Sequence, residues 1–305
     1  IVTGSNDGVM SMYDLTFETV CAIYRERYAY RDRMTDVIVQ HLSTGKKVRI
    51  KHKDYIKKIS IYHNRLVVQL PDRVVIYELT QSIDPANMKY RTRDKIRKSL
   101  ECSHLVVTSM HVLMSQENKL YVLSFQGETE REYIFESSVV SIRVVGGPPE
   151  REGIIMGLRN GAVVQVYVNN PFPINLIRQD HAVTCLDLSS TRKQIAIVND
   201  QSECLVYALD TKELVMKELN CTAAAWNTEL EDMLCFSDKN DVLSIRTGDN
   251  FAMHKQKMRG KVVGFSGSRI FSLQDGRMNT IDVPQSASLY RYLDAGDYDM
   301  AYKVA

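Results

Sequence analysis

Short runs of apolar residues, broken by turn formers, occupy the chain from its start to about residue 284. Arg65-Leu66-Val67-Val68-Gln69-Leu70 is punctuated by Pro71-Asp72 and followed by a second run from Arg73 to Leu79, the layout of two strands around a tight turn. The layout recurs at 153–158 and 162–168 around Arg159-Asn160-Gly161, and at 1–5 and 9–15 around Asn6-Asp7-Gly8. Asn-Gly and Asp-Gly are strong hairpin signals because both residues tolerate positive φ. The second runs of successive hairpins centre on Tyr77, Val122, Tyr167, Tyr207, Ile245 and Ile281, a spacing of roughly 35 to 45 residues that suits WD-type blades. Met12-Tyr13-Asp14-Leu15, Ile76-Tyr77-Glu78-Leu79 and Val206-Tyr207-Ala208-Leu209 share the form apolar-Tyr-x-Leu, and Tyr13-Asp14 stands where a WD repeat places Trp-Asp. The Gly-His pair of strong WD repeats does not occur, so the repeats are degenerate.

Each unit has room for two further strands. Residues 56–62, 104–110, 139–145, 182–188, 222–226 and 261–265 are expected innermost, beside a central channel. Their nearly continuous apolar character predicts burial on both faces. Segments such as 212–217 and 251–258 alternate and carry charge, as outer strands that resist edge-to-edge pairing do. The predicted fold is all-β, a WD40-like β-propeller of six to seven blades. Residues 47–51 are expected to supply, from the N-terminal side, the outer strand missing from the last blade, and 36–42 with earlier strands would complete a seventh. Beyond residue 285, Leu289, Tyr292, Leu293, Tyr298, Ala301 and Tyr302 fall at helical spacing around Gly296, which predicts the start of an α-solenoid.

Composition narrows the function classes. The 305 residues are 44% hydrophobic and 25% charged with a formal net charge of +2, ordinary globular values with no global field for nucleic acid or an anionic membrane. No run of apolar residues is long enough for a transmembrane segment. Ile1-Val2-Thr3-Gly4-Ser5 has no signal-peptide pattern and reads as the middle of a strand, so the chain is expected to be a piece of something longer. The six cysteines include no C-x-x-C pair and sit mostly in strand-like runs, which predicts buried thiols in a reducing, cytoplasmic compartment. Cys102-Ser103-His104 brings two metal-ligand types together, but the seven histidines form no H-x-x-x-H pair, and no metal or cofactor is expected. Ser43-Thr44-Gly45-Lys46-Lys47 lacks the first glycine and the final hydroxyl of a P-loop, and no G-x-S-x-G elbow occurs, so no enzyme activity is expected.

Several words are more specific. Tyr28-Ala29-Tyr30-Arg31-Asp32 followed by Met34-Thr35-Asp36-Val37-Ile38-Val39-Gln40-His41-Leu42, then Gly146-Gly147-Pro148-Pro149 with Arg151-Glu152-Gly153, then Ala225-Trp226-Asn227-Thr228 with Glu231-Asp232-Met233-Leu234-Cys235-Phe236-Ser237, and Val283-Pro284-Gln285-Ser286-Ala287 occur in order along nearly the whole chain. In this the chain resembles the propeller-and-solenoid core subunits of intraflagellar transport complex A, in the region of their second propeller. The resemblance implies residues 1–30 as the end of a preceding propeller, 31–284 as the propeller and 285–305 as the start of the solenoid. It also implies a non-enzymatic scaffold in retrograde intraciliary transport, cilium assembly and delivery of receptors to cilia. The implied partners are other complex A subunits and ciliary membrane cargo adaptors, with no nucleic acid, and the implied places are cytoplasm, ciliary base and axoneme. A vesicle-coat subunit shares the propeller–solenoid plan and is the alternative.

Candidate contacts follow from charge and loop chemistry. One basic cluster comprises Lys46, Lys47, Arg49, Lys51, Lys53, Lys57 and Lys58, with Lys47, Arg49 and Lys51 on one strand face. A second comprises Lys89, Arg91, Arg93, Lys95, Arg97 and Lys98, all within residues 81–98, which are read as a loop and as the expected contact. Either reads as a solvated face or as a surface for an acidic partner or anionic headgroups. The predicted partner-binding residues are Arg91, Arg93, Arg97 and Lys98, together with Pro148, Pro149 and Arg151 of the stiff Gly-Gly-Pro-Pro loop. Trp226 is expected in the core.

Overall fold

The computed structural model describes residues 2–12, 19–80, 87–230, 233–247, 253–283, 289 and 292–304. Two short strands, β1 (Val2–Gly4) and β2 (Met10–Met12), pair antiparallel across the Asp7-Gly8 turn. Seven sheets follow, and they form a seven-bladed propeller. Blade 1 is β3 (Cys21–Tyr24), β4 (Arg27–Asp32), β5 (Asp36–His41) and β6 (Lys47–Lys51); blade 2 is β7 (Lys58–Tyr62), β8 (Arg65–Gln69), β9 (Val74–Leu79) and β10 (Tyr90–Ile96). Blade 3 is β11 (His104–Val107), β12 (His111–Gln116), β13 (Lys119–Ser124) and β14 (Thr129–Ile134); blade 4 is β15 (Val139–Gly146), β16 (Gly153–Leu158), β17 (Ala162–Tyr167) and β18 (Ile174–Arg178). Blade 5 is β19 (Val183–Leu188), β20 (Gln194–Asn199), β21 (Cys204–Ala208) and β22 (Leu214–Glu218); blade 6 is β23 (Cys221–Trp226), β24 (Met233–Asp238), β25 (Val242–Thr247) and β26 (His254–Lys257). Blade 7 has three strands among the described residues, β27 (Lys261–Ser266), β28 (Arg269–Gln274) and β29 (Arg277–Asp282). After residues 292–294, which are helical, Gly296 takes φ +72° and α1 (Tyr298–Val304) follows.

The structure corrects three expectations. β6 pairs with β5 in its own sheet, so residues 47–51 close blade 1 and not the last blade. β3 pairs with β4 and β4 with β5, so the expected boundary between residues 30 and 31 falls inside β4. The expected burial of first strands holds for some and not others: β7 and β23 are buried at nearly every position, as the second strands β8 and β16 are throughout, whereas the innermost β15 is half-exposed along most of its length. The reason is the channel, because each first strand ends its sheet and its free edge borders an open bore of roughly 1540 Å³. Each second strand instead lies between two neighbouring blades, where Val, Ile and Leu meet apolar side chains on both sides.

Apolar clusters fill the seams between successive blades. Leu113, Leu120 and Val122 of blade 3 meet Ile154, Met156 and Val164 of blade 4, and Val198 and Val206 of blade 5 meet Trp226 and Phe236 of blade 6. Trp226 is thus a core residue, as expected. Hydrogen bonds tie two further seams: Val107 N–H of blade 3 donates to Ser60 Oγ of blade 2 at 3.0 Å, and Val262 N–H of blade 7 to Ser237 Oγ of blade 6 at 3.2 Å. The seam between blades 7 and 1 is held differently. Tyr28 Oη donates to Gly276 O at 3.3 Å, Arg269 Nη1 donates to Ser43 Oγ at 2.8 Å, and Ile23 packs on Gly264. Amides of β3 and β29 should therefore exchange with deuterium at least about tenfold faster than those of β16, because opening frees less apolar surface. Exchange mass spectrometry on the intact chain checks this; equal protection would show a uniformly closed ring.

Candidate partner-binding face

Alternating strand direction fixes which loops share a face. Loops joining first to second strands and third to fourth strands emerge at one end of the ring, here the upper end. Loops joining second to third strands, and one blade to the next, emerge at the lower end. The predicted contact residues divide between the two. Pro148, Pro149 and Arg151 are exposed in the upper loop between β15 and β16, whereas Arg97 and Lys98 are exposed at the lower end after β10. Arg91 and Arg93 lie on β10 itself, so the stretch 81–98 is not the loop expected but carries a strand over Tyr90–Ile96 paired to β9. Residues 81–86 of the predicted contact loop lie outside the described residues.

Arg91 and Arg93 are held by the fold. Arg91 stands opposite Glu78 in the β9–β10 register and binds its Oε2 at 2.8 Å. Arg65, buried on β8, binds Glu78 Oε1 at 2.6 Å, and Arg93 approaches the same oxygen at 3.7 Å while its guanidinium lies 5.0 Å from the Phe125 ring. Hydrogen bonds from Arg91 and Arg65 hold the Glu78 carboxyl below the usual carboxylate range. The first basic cluster is likewise partly paired: Lys47, Arg49 and Lys51 alternate outward as expected, and Arg49 reaches Asp32 at 3.2 Å and Asp36 at 3.6 Å. Cys102 and His104 turn to separate partners, Gln69 and Ser115. Among the described residues no three His, Cys, Asp or Glu side chains group as a metal site, and no helix is long and apolar enough to cross a membrane.

The upper mouth of the channel holds a cluster not apparent from the sequence. Tyr24 of β3, Tyr62 of β7 and the adjacent His63 pack ring against ring, with centroids 5.1 Å apart for Tyr24–Tyr62, 4.6 Å for Tyr62–His63 and 5.1 Å for Tyr24–His63. Arg25 and Arg27 each lie 5.6 Å from the Tyr24 ring centroid. Burial pushes the Tyr62 hydroxyl up to about 12, against the pull of Arg25 and of Arg192 from the blade 5 turn. Burial, with Arg25 and Arg27, lowers the His63 pKa, so the imidazole is neutral near pH 7 and the arginines carry the positive charge there. Arg25, His63 and Arg192 occupy turn tips with φ of 51°, 44° and 61°, a region costly for side chains with a Cβ. Gly146 and Gly147 line the same mouth, so the Pro148–Pro149 loop rises beside it. Deeper in the bore, Arg143 of blade 4 pairs with Asp187 of blade 5 at 3.1 Å, and Asp187 accepts the Trp226 N–H of blade 6 at 2.8 Å. Burial raises the Asp187 pKa and Arg143 opposes the rise, so this carboxyl clamps three blades together.

A ring of seven antiparallel sheets, six of them four-stranded and the last three-stranded among the described residues, with an open bore and loop-bearing faces, defines a WD-type β-propeller. The family model described as IFT122 second beta-propeller matches residues 21–278, and the chain belongs to that family. That match begins at β3, where the first sheet of the ring begins. Intraflagellar transport protein 122 homolog of Homo sapiens is 50% identical over 305 residues, which is 100% of this chain and 24% of that protein. The homolog of Danio rerio is 48% identical over 100% of this chain and 25% of its own length. The chain thus spans about a quarter of the length of the curated relatives it matches. Among solved structures, a chain of "Crystal Structure of Mitotic Checkpoint Complex" superposes with a TM-score of 0.61 at 14% identity, covering 87% of this chain and 86% of that one, a likeness of fold alone.

Proposed function

We propose that this chain is the second-propeller segment of a non-enzymatic scaffold subunit of intraflagellar transport complex A. In this reading it supports retrograde intraciliary transport, cilium assembly and the delivery of receptors to cilia, and it works in the cytoplasm, at the ciliary base and along the axoneme. Its partners are other complex A subunits and ciliary membrane cargo adaptors. The observation that carries the reading is the match of the ring, from its first sheet into its last, to a family whose relatives are named as intraflagellar transport proteins. The physics suits the role. A closed ring holds its loops in fixed positions, so partner contacts lose less conformational entropy, and several weak contacts along one train sum by multivalency. Residues 2–12 are taken as the end of a preceding propeller, and the helical residues around Gly296 as the start of a solenoid.

The contact residues proposed are Arg97 and Lys98 below, and Pro148, Pro149 and Arg151 above. Because Arg91 and Arg93 bind Glu78, charge reversal there tests the fold as much as a contact. The decisive variant is Arg97→Glu, Lys98→Glu and Arg151→Glu together, in the full-length protein expressed in ciliated cells. Unmodified protein is expected at the ciliary base and axoneme, copurifying with complex A subunits; a Golgi-like distribution would instead favour a vesicle coat. The triple variant is expected to recover at least one subunit several-fold less well. Unchanged recovery of every subunit would remove these residues from the contact surface.

A further inference from the structure

Outer strands of a propeller present a free edge, and charged side chains normally guard it. β6, β10, β14, β22 and β26 each carry two or more charged residues. β18, Ile-Asn-Leu-Ile-Arg, carries one, at its last position. β18 ends its sheet and pairs only with β17, so its outward N–H and C=O groups have no ladder partner among the described residues. Its register with β17 slips at Leu176, which bulges the edge outward.

The surroundings of this edge are apolar. A cavity of about 560 Å³ is lined by Ile134, Phe135, Pro173, Leu176, Ile177 and Tyr207, a size usual for ligand clefts of roughly 300–1,000 Å³. Around it Ile134 is 64% exposed and Phe172 73%, and Ile174 and Leu214 are exposed as well. The cavity runs the length of the strand, from Pro173 and Lys212 at the upper end to Arg178 at the lower end. Arg178 pairs with Glu136 at 3.4 Å, but both side chains are about two-thirds exposed, and such pairs exchange readily.

We propose that β18 accepts an added strand from a partner protein: an extended segment of about five or six residues, matching a strand rise of roughly 3.3 Å per residue. Its backbone pairs with the free edge. Alternate apolar side chains fill the cavity against Leu176, Ile177 and Tyr207. Carboxylates at its two ends meet Lys212 and Arg178. The edge specifies an extended chain, and the cations at both ends specify acidic flanks.

The test uses the 305-residue chain against a displayed library of random dodecapeptides, with counter-selection against the variant Ile174→Lys, Asn175→Lys. That variant gives β18 the charge its sister strands carry, at two exposed positions. Surviving peptides are expected to show alternating β-branched or aromatic residues with acidic flanks. Synthesised singly, they should bind the unmodified chain at least tenfold more tightly than the variant, and slow amide exchange at residues 174–178. Proline at alternate positions of such a peptide should abolish binding, because it removes backbone donors. Circular dichroism and melting of the variant confirm that it is folded. Peptides that bind both chains equally, that tolerate proline throughout, or that leave exchange at 174–178 unchanged would overturn the proposal.

Discussion

Gly161→Ala is expected to lower the melting temperature by roughly 10 °C. Gly161 lies in the lower turn between β16 and β17 at φ +82°, where a residue with a Cβ pays about 1–2 kcal/mol. Contact adds to this. A Cβ there would sit 1.9 Å from Gln179 O and 3.0 Å from His181 O, both backbone atoms of the link from blade 4 to blade 5. Neither can swing aside as a side-chain tip would. The link must move, which weakens the bond from Gln179 N–H to Gly161 O at 3.1 Å and disturbs Gln179 Nε2, which donates to His181 O at 3.0 Å. Overpacking of this kind costs about 1–3 kcal/mol, and about 3–4 kcal/mol in all corresponds to roughly 10 °C at 2–4 °C per kcal/mol. Gly45→Ala is the control. Gly45 has φ +69° in the turn between β5 and β6, with nothing within 4 Å of where a Cβ would sit, so only the backbone cost applies and a shift of roughly 2–8 °C is expected. Equal shifts in scanning calorimetry would show that the blade 4–blade 5 link is not the cause.

The turn that carries this prediction was legible because Asn160-Gly161 has one chemical meaning between two apolar runs. The same holds for Asp7-Gly8, and the third strands fell where the 35–45 residue spacing put them. Other features were not legible. Whether residues 47–51 close the first sheet or the last cannot be read from an alternating charged strand, since a ring allows its final sheet to be completed from either terminus. The half-exposure of β15 was not legible because first and second strands alike are apolar runs; only the bore, a property of the closed ring, sets that strand apart. Register slips at one equivalent point in four first strands, between Val139 and Ser141, Val183 and Cys185, Cys221 and Ala223, and Val262 and Gly264, repeat a structural unit that the side chains do not mark.

Site residues follow the same logic. Arg25, His63 and Arg192 come from three blades, so no local pattern joins them. The available signal was positional: each sits at the turn tip after a first strand, where a small or turn-forming residue is the usual choice. Arg91 and Arg93 looked like free cations because their partner lies across a hairpin. Once the register sets Arg91 opposite Glu78, the pairing is what cross-strand neighbours of opposite charge do.

The same carboxylate supports the second large effect. Glu78→Gln is expected to destabilise the chain by about 3 kcal/mol, because removing one member of a buried ion pair leaves the other uncompensated. The residue left behind is Arg65, 6% exposed, which would keep the Ser109 carbonyl at 3.0 Å, the Phe125 ring 5.9 Å away and the neutral amide oxygen of the new side chain, but would lose the carboxylate charge now 2.6 Å from it. Replacing both partners, Arg65→Met with Glu78→Leu, should recover much of the loss, since an apolar pair of similar volume needs no countercharge. Acid should act in the same direction. The folded Glu78 pKa lies below its unfolded value, so its stabilisation is complete above the unfolded value and fades as pH falls through the folded one. Urea midpoints measured from pH 7 down to about pH 3 should therefore fall more steeply for the unmodified chain than for Glu78→Gln. Parallel slopes, or a single variant as stable as the double one, would mean that Arg65 finds its countercharge elsewhere, and would return Arg91 and Arg93 to the pool of cations available to a partner.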